Sequence, residues 1–268
     1  MGRFLQIGLF LVVLVCLQAQ PRIDYSYNSP GKNEVTVKTI FYQLAENIIP
    51  IKIQQYGERD DLVFINLHDD EYTSVEAAKR ILQHKGGVLI EIENGLQRNI
   101  RFRIGRQFYR VDPNCIFSAD GAKKSLELLG KGSSKAIQEA TLLGKRITQL
   151  IPESAKIVIA LHNNTPGFFS VHDYAAGNTR STDSRKVYIN SSEDPDDFFF
   201  TTSNELYERL ADKGFNIVLQ DNRNCTDDGS LSVYCGRNKL TYINCETEHG
   251  KALQYERMLL ALLESIPD

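Results

Sequence analysis

Residues 62–71 read Leu-Val-Phe-Ile-Asn-Leu-His-Asp-Asp-Glu, and this stretch decides how the rest of the chain is read. Its aliphatic residues fall at odd and even positions alike, which marks a strand covered on both faces and not one alternating between core and water. The run then stops at a histidine followed three residues later by a glutamate. The same grammar recurs at 156–162 (KIVIALH) and 240–246 (LTYINCE), where an apolar run again ends on a histidine or a glutamate. Further buried strands are expected at 87–92 (GVLIEI) and 215–219 (FNIVL).

Helical patterns separate these runs. Thr73 to Glu76 has the spacing of a capping box, and the following VEAAKRILQ suits a helix. Amphipathic helices are expected over 133–150, 203–213 and about 250–265, the first ending before Pro152 and the second at Lys213-Gly214. Residues 98–111 alternate as a hairpin beside the main sheet would, and 172–200 carries few helix signals and reads as long surface loops near the site. Strands alternating with helices predict an α/β protein, a three-layer α/β/α domain with a mixed, mostly parallel central sheet.

Residues 1–19 combine Arg3, an apolar stretch from Leu5 to Leu17 broken by Gln6 and Gly8, and Ala19. That is the secretory signal pattern, with an apolar core short for a membrane span. Cys16 lacks the small preceding residue of a lipoprotein signal, so cleavage near Ala19 is expected, with a single domain over 20–268 in a secreted or periplasmic location. No second apolar run is long enough for stable membrane insertion. The net charge of −3, without a basic stripe, argues against nucleic acid as a partner. The absence of Trp removes the most obvious sugar-stacking surface. Oligomeric state is left open.

Four cysteines remain in the expected mature chain, and export permits disulfides. Cys225 and Cys235 bracket the turn-rich Thr226–Ser230 segment and are expected to pair; Cys115 and Cys245 are left as a second pair or as thiols. None has the spacing of a structural zinc knuckle.

The polar residues at the strand ends form the candidate site. In open α/β sheets ligands sit beyond the carboxyl ends of strands, so three strands deliver His68, His162 and Glu246 to one rim. A turn places Glu71 beside His68. Two imidazoles and a carboxylate are a donor set that zinc accepts, with a position left for water. His84 and His172 are read as ordinary histidines and His249 as a supporting or helix-capping residue. Asp194 to Phe200 sets acids beside aromatics in an expected loop that either lines a cleft, binds calcium or packs through its phenylalanines. Asp227 to Ser230 is read as turn chemistry.

On HDDE at 68–71, VDPNC at 111–115, ALHNNT at 160–165 and YINCETEHG at 242–250, in that order, the chain resembles the zinc carboxypeptidase superfamily, especially its succinylglutamate desuccinylase and aspartoacylase-like branch. The resemblance implies Zn2+ on His68, Glu71 and His162, with Glu246 as general base and Glu248 as its rival. It implies hydrolysis of a peptide or N-acyl amide bond in a small peptide or N-acyl amino-acid substrate. Where that family commonly has Asn-Arg, this chain has Asn114-Cys115. Cys115 cannot make the bidentate charged contact of an arginine. Asn114 still donates a hydrogen bond, and Arg106 or Arg110 is the expected compensation. The competing readings are a non-catalytic ligand-binding protein on the same fold and a cell-wall peptide amidase or carboxypeptidase.

Overall fold

Buried β-branched and aromatic runs become the sheet, and capped amphipathic segments become its two covering layers. The computed structural model describes residues 33–267, so the expected signal peptide lies outside the described residues. The elements in chain order begin with β1 (Val35–Leu44), β2 (Asn47–Tyr56), β3 (Leu62–Asn66), α1 (Tyr72–Lys85) and β4 (Gly87–Ile92). There follow β5 (Ile100–Ile104), β6 (Gln107–Val111), α2 (Ala119–Leu128), α3 (Ser134–Thr148) and β7 (Ile157–Asn164). The last third holds β8 (Ser184–Tyr188), β9 (Phe198–Thr201), α4 (Asn204–Asp212), β10 (Ile217–Gln220), α5 (Leu231–Arg237), β11 (Tyr242–Glu248) and α6 (Ala252–Ser265).

Nine strands form one sheet in the order β1-β2-β4-β3-β7-β11-β9-β10-β8. Its centre, β4-β3-β7-β11, is parallel, and both margins contain antiparallel pairs. β5 and β6 form a separate hairpin, as their alternation predicts. Period-two alternation splits the core into two layers. Val63, Ile65, Val158 and Ala160 face the layer built with α2, α3, α5 and the β5–β6 hairpin. Leu62, Phe64, Ile157, Ile159 and Leu161 face the layer built with α1, α4 and α6. Burying each of the larger aliphatic and aromatic side chains among these contributes about 1.5–3 kcal/mol.

Serine hydroxyls start four of the helices. Ser118, Ser133, Ser203 and Ser230 accept main-chain N–H groups from the first turns of α2, α3, α4 and α5. The capping box expected at Thr73–Glu76 does not form. α1 begins at Tyr72, Thr73 accepts the N–H of Gly250 at 3.0 Å, and exposed Glu76 pairs with Lys79 at 3.3 Å. The segment 172–200 is not purely loop either. β8 and β9 lie within it, and Phe198, Phe199 and Phe200 are buried in the sheet between β11 and β10. The N-terminal hairpin β1–β2, α2 and α5 add to the elements expected from sequence.

The expected Cys225–Cys235 disulfide is absent, and Cys115 and Cys245, for which pairing was left open, are thiols too: all four are free among the described residues. Cys235 is buried in the core layer under α5, whereas half-buried Cys225 follows a turn whose N–H returns to Asp221. Cys245 lies in the opposite core layer, so the sheet separates it from Cys115.

One backbone contact fixes the loop before α5. A Cβ on Gly121 would lie 2.3 Å from Gly229 Cα, and Gly229 itself adopts φ +76°. Only glycine at both positions lets this loop seat against the start of α2. Phe117 N–H then donates to Gly229 O at 2.9 Å.

Candidate metal centre and the cavity beside it

The H-x-x-E motif is a turn just past β3. Glu71 N–H donates to His68 O at 3.1 Å, and Ser74 Oγ donates to Glu71 O at 2.6 Å. Glu71 occupies the N-cap position of α1 but caps nothing with its side chain, which turns inward instead. Its Oε1 lies 3.0 Å from His68 Nδ1 and its Oε2 lies 3.0 Å from His162 Nδ1. His162 arrives from β7, whose position is fixed from behind. Tyr255 of α6 accepts the His162 N–H at 3.1 Å and donates its hydroxyl to Cys245 O of β11 at 2.7 Å. Donor atoms of His68, Glu71 and His162 all lie within 4.8 Å of one another, and all three residues are buried.

The second nitrogen of His68 is also committed. Its Nε2 lies 2.7 Å from Asp112 Oδ1, and Asp112 in turn accepts the N–H of Asn114 at 2.8 Å and donates its own N–H to Ser125 Oγ at 2.9 Å. Asp112 caps a short 3-10 turn with Pro113 in its first position, an arrangement that Asp-Pro favours. Arg98 closes the cluster, donating from Nη1 to Glu71 Oε1 at 2.6 Å.

Burial and pairing oppose one another here, and pairing wins. Burial alone lowers the basicity of His68, but the carboxylates of Glu71 and Asp112 hold its pKa up to about 9. Burial raises both of those acids, yet the imidazoles hold Glu71 well below the usual carboxylate range, and chiefly His68 holds Asp112 down to about 2. Glu246 has no such cation bonded to it. Burial pushes its carboxyl group above the ordinary value, although His162 opposes the shift.

Two buried imidazole Nδ1 atoms converge on one carboxylate, and a second carboxylate orients the first imidazole through its far nitrogen. That is the donor set and outer support that zinc-type ions use. His162 Nε2 is buried with no hydrogen-bond partner among the described residues, so its Nδ1 is the nitrogen aimed at the cluster. A second acidic group, Asp194, Asp196 and Glu248, is also close enough to hold a cation. There the Lys251 ammonium already sits 2.8 Å from Asp194 and 2.8 Å from Glu248.

The centre opens onto a cavity of about 600 Å³ lined by Glu71, Arg98, Asp112, Asn114, His162 and Glu246, among others. Glu246 pairs in register with His162 across β7 and β11. Both strands run two residues past these side chains, to Asn164 and Glu248, so the residues lie inside strands and not at their ends. Glu246 accepts Asn244 Nδ2 at 3.0 Å. Glu248 is bound to Lys251 and does not line the cavity.

Asn114 lines the cavity, its Oδ1 accepting Leu231 N–H at 3.3 Å. Arg106 and Arg110 do not line it. Arg106 stands in the β5–β6 turn, and Arg110 reaches away to Leu129 O at 2.9 Å. Alternation explains this: Arg101, Arg103 and Arg110 occupy the outward positions of the hairpin while Phe102 and Tyr109 face the core. The arginines that do reach the cavity are Arg98 and Arg180. Neither carries a sequence signal, since Arg98 meets Glu71 only through the path of the chain before the hairpin. Asp112 was detectable through its Asp-Pro cap. Cys115 lines the cavity, its thiol pushed up to about 12 by burial first and by Asp112 and Asp228 next. His249 also lines the cavity, its ring tilted against that of Tyr72 with centroids 5.9 Å apart, and does not cap α6. His172 sits in a short 3-10 turn. His84 lies in the last turn of α1.

The sequence matches no family model, and no curated protein matches it. Among solved structures it is similar to an aspartoacylase family protein from Mesorhizobium loti, with 14% identity over 89% of this chain and 68% of that one, at a TM-score of 0.45. It is also similar to a murein-tripeptide amidase from Escherichia coli O157, with 15% identity over 93% of this chain and 98% of that one, at a TM-score of 0.44.

Proposed function

We propose that this chain is a zinc-dependent hydrolase that cleaves a peptide or N-acyl amide bond in a small substrate. The observation that carries this reading is the convergence of His68 Nδ1 and His162 Nδ1 on the two oxygens of Glu71, each at 3.0 Å, with Glu246 beside His162 in the wall of one cavity. His68, Glu71 and His162 would hold the ion. Bound there, zinc would supply Lewis acidity toward a carbonyl and water made acidic enough to react near neutral pH.

The protein's own groups do the rest. Glu246 takes the proton of the attacking water and returns it to the leaving amine, a role that suits a carboxyl group whose proton affinity burial raises above the ordinary value. Arg98 is anchored by one nitrogen to Glu71 and keeps further N–H groups for the oxygen that becomes negative. Asn114 offers its amide hydrogens to the substrate from the same wall. Asp112 holds the His68 ring in place. Export of the chain, read from residues 1–19, belongs to the same reading and is tested by the N-terminus of the secreted protein.

Glu246→Gln is the decisive variant. Turnover of N-acyl amino acids or dipeptides should fall by about 10²–10⁴ while zinc stays equimolar by elemental analysis. Full activity in this variant would remove Glu246 from the chemistry.

A further inference from the structure

Beyond Glu246 the cavity continues along the same face of the sheet, away from the metal centre. Asn244 of β11, Phe200 of β9 and Gln220 of β10 all line it, and alternation puts Tyr242, Asn244 and Glu246 on one face. The far wall is formed by the short turn ending at Asp183 and by the loop of residues 225–230, which the Gly121–Gly229 contact holds in place.

This half of the cavity is lined by acceptors whose capacity is unused or only partly used. Gln220 is 2% exposed and donates from Nε2 to Asn222 Oδ1 at 2.9 Å and to Ser232 O at 3.2 Å. Its Oε1 is buried without a hydrogen-bond partner among the described residues. Asn244 repeats the pattern: its Nδ2 serves Glu246, and its buried Oδ1 has no partner among the described residues. Asp183 and Asp228 each use one carboxylate oxygen to hold a main-chain N–H, of Thr226 at 3.0 Å and Ser230 at 2.9 Å. Neither forms an ion pair among the described residues. Buried acceptors are destabilising unless a donor meets them, so the ligand that suits this region brings N–H groups and positive charge.

The cations nearby do not meet that need. Arg98 is engaged with Glu71 at the other end, and Arg180 is exposed at the mouth, its guanidinium carbon 5.1 Å from the Phe169 ring centre. Cys115 is neutral, so it adds no charge of its own to those of Arg98 and Arg180 in the cavity wall.

We propose that the distal half of the cavity selects a substrate residue whose side chain ends in an ammonium group, its N–H donors meeting Gln220 Oε1 and Asn244 Oδ1 and its charge meeting Asp183 and Asp228. The proposal rests on the hydrolase reading for its chemistry, and it names the substrate class of that same site. Two sources carry this group, a lysine-like side chain and the amino end of a diamino dicarboxylic acid.

The test uses zinc-loaded full-length protein and a matched series of N-acetyl amino acids and dipeptides. On either side of the scissile bond the side chain ends in ammonium (lysine), methyl (norleucine), carboxylate (glutamate) or the zwitterionic end of a diamino dicarboxylic acid. The kcat/KM for at least one ammonium-bearing class should exceed that for norleucine and glutamate at least tenfold, and preference between the two ammonium classes identifies the source. The double variant D183N/D228N should lose that tenfold preference, with a circular dichroism spectrum and Tm matching the unsubstituted protein to report correct folding; a preference kept in this variant overturns the proposal. Calorimetry of free lysine, norleucine and glutamate binding separates this proposal from the hydrolase reading. Turnover without ammonium preference overturns the proposal and leaves the hydrolase standing. Selective binding of the ammonium ligands without any turnover supports the proposal and removes the hydrolase. Absence of both turnover and selective binding overturns the proposal.

Discussion

The two ends of the cavity are built on opposite principles. At the metal end the principal charged groups are partnered: Glu71 by two imidazoles and Arg98, His68 by Glu71 and Asp112. At the distal end Gln220 and Asn244 present buried acceptors that meet no donor. The first end is preorganised by the protein itself; the second is completed by what enters it. Rigid pairing suits a centre that must hold an ion in fixed geometry, whereas unmet acceptors suit discrimination, because a ligand without donors leaves them dry.

Breaking the paired end should produce the larger effects. Glu71→Gln removes the one carboxylate common to both imidazoles, so zinc content by elemental analysis should fall to background and hydrolysis with it. Retention of equimolar zinc would show that the ion binds elsewhere. Asp112→Asn should be milder, weakening zinc affinity about 10–100-fold in a chelator competition, since the His68 ring loses its orienting charge but keeps its own contact with the ion. Unchanged affinity would make Asp112 a purely structural cap.

The smallest effect is one of pH on the chelator-treated protein. The His68 pKa of about 9 in the folded chain lies above its ordinary 6.5, so its stabilisation is complete below pH 6.5 and is lost as the pH rises through 9. The Tm of metal-free protein should therefore decline across that window, while zinc-loaded protein, whose ligand imidazoles are already neutral, should not show the decline. A flat Tm in the metal-free protein would mean that His68 is not held charged by its carboxylates.

Much of the paired end was legible in the sequence because its residues follow long aliphatic runs. LVFINL, KIVIAL and LTYINC announce buried strands, and His68, His162 and Glu246 stand where the runs end. The structure moves His162 and Glu246 slightly inward but leaves them on the expected face. The distal end was much less legible. β9 is a run of three phenylalanines directly after Asp196 and Asp197, acids that look solvated in sequence but are 5% and 6% exposed. Asp196 there accepts Gly167 N–H at 2.6 Å, a bond to a residue 29 positions away that no local pattern predicts. Arg98 escaped for the same reason, whereas Arg106 and Arg110 drew attention only by closeness in sequence to Asn114. The cysteines misled because bracketing a turn says nothing about whether two thiols face the same side of the chain.

The pairing of β7 with β11 has a bearing on how such a site can change over evolutionary time. Stepping β11 by one position would exchange Glu246 for Cys245 opposite His162, and would drive the carboxylate into the aliphatic layer under α6. Variation is accommodated more readily in the loops at 172–183 and 222–228, which lie outside the strand pair, with Gly229 kept against Gly121.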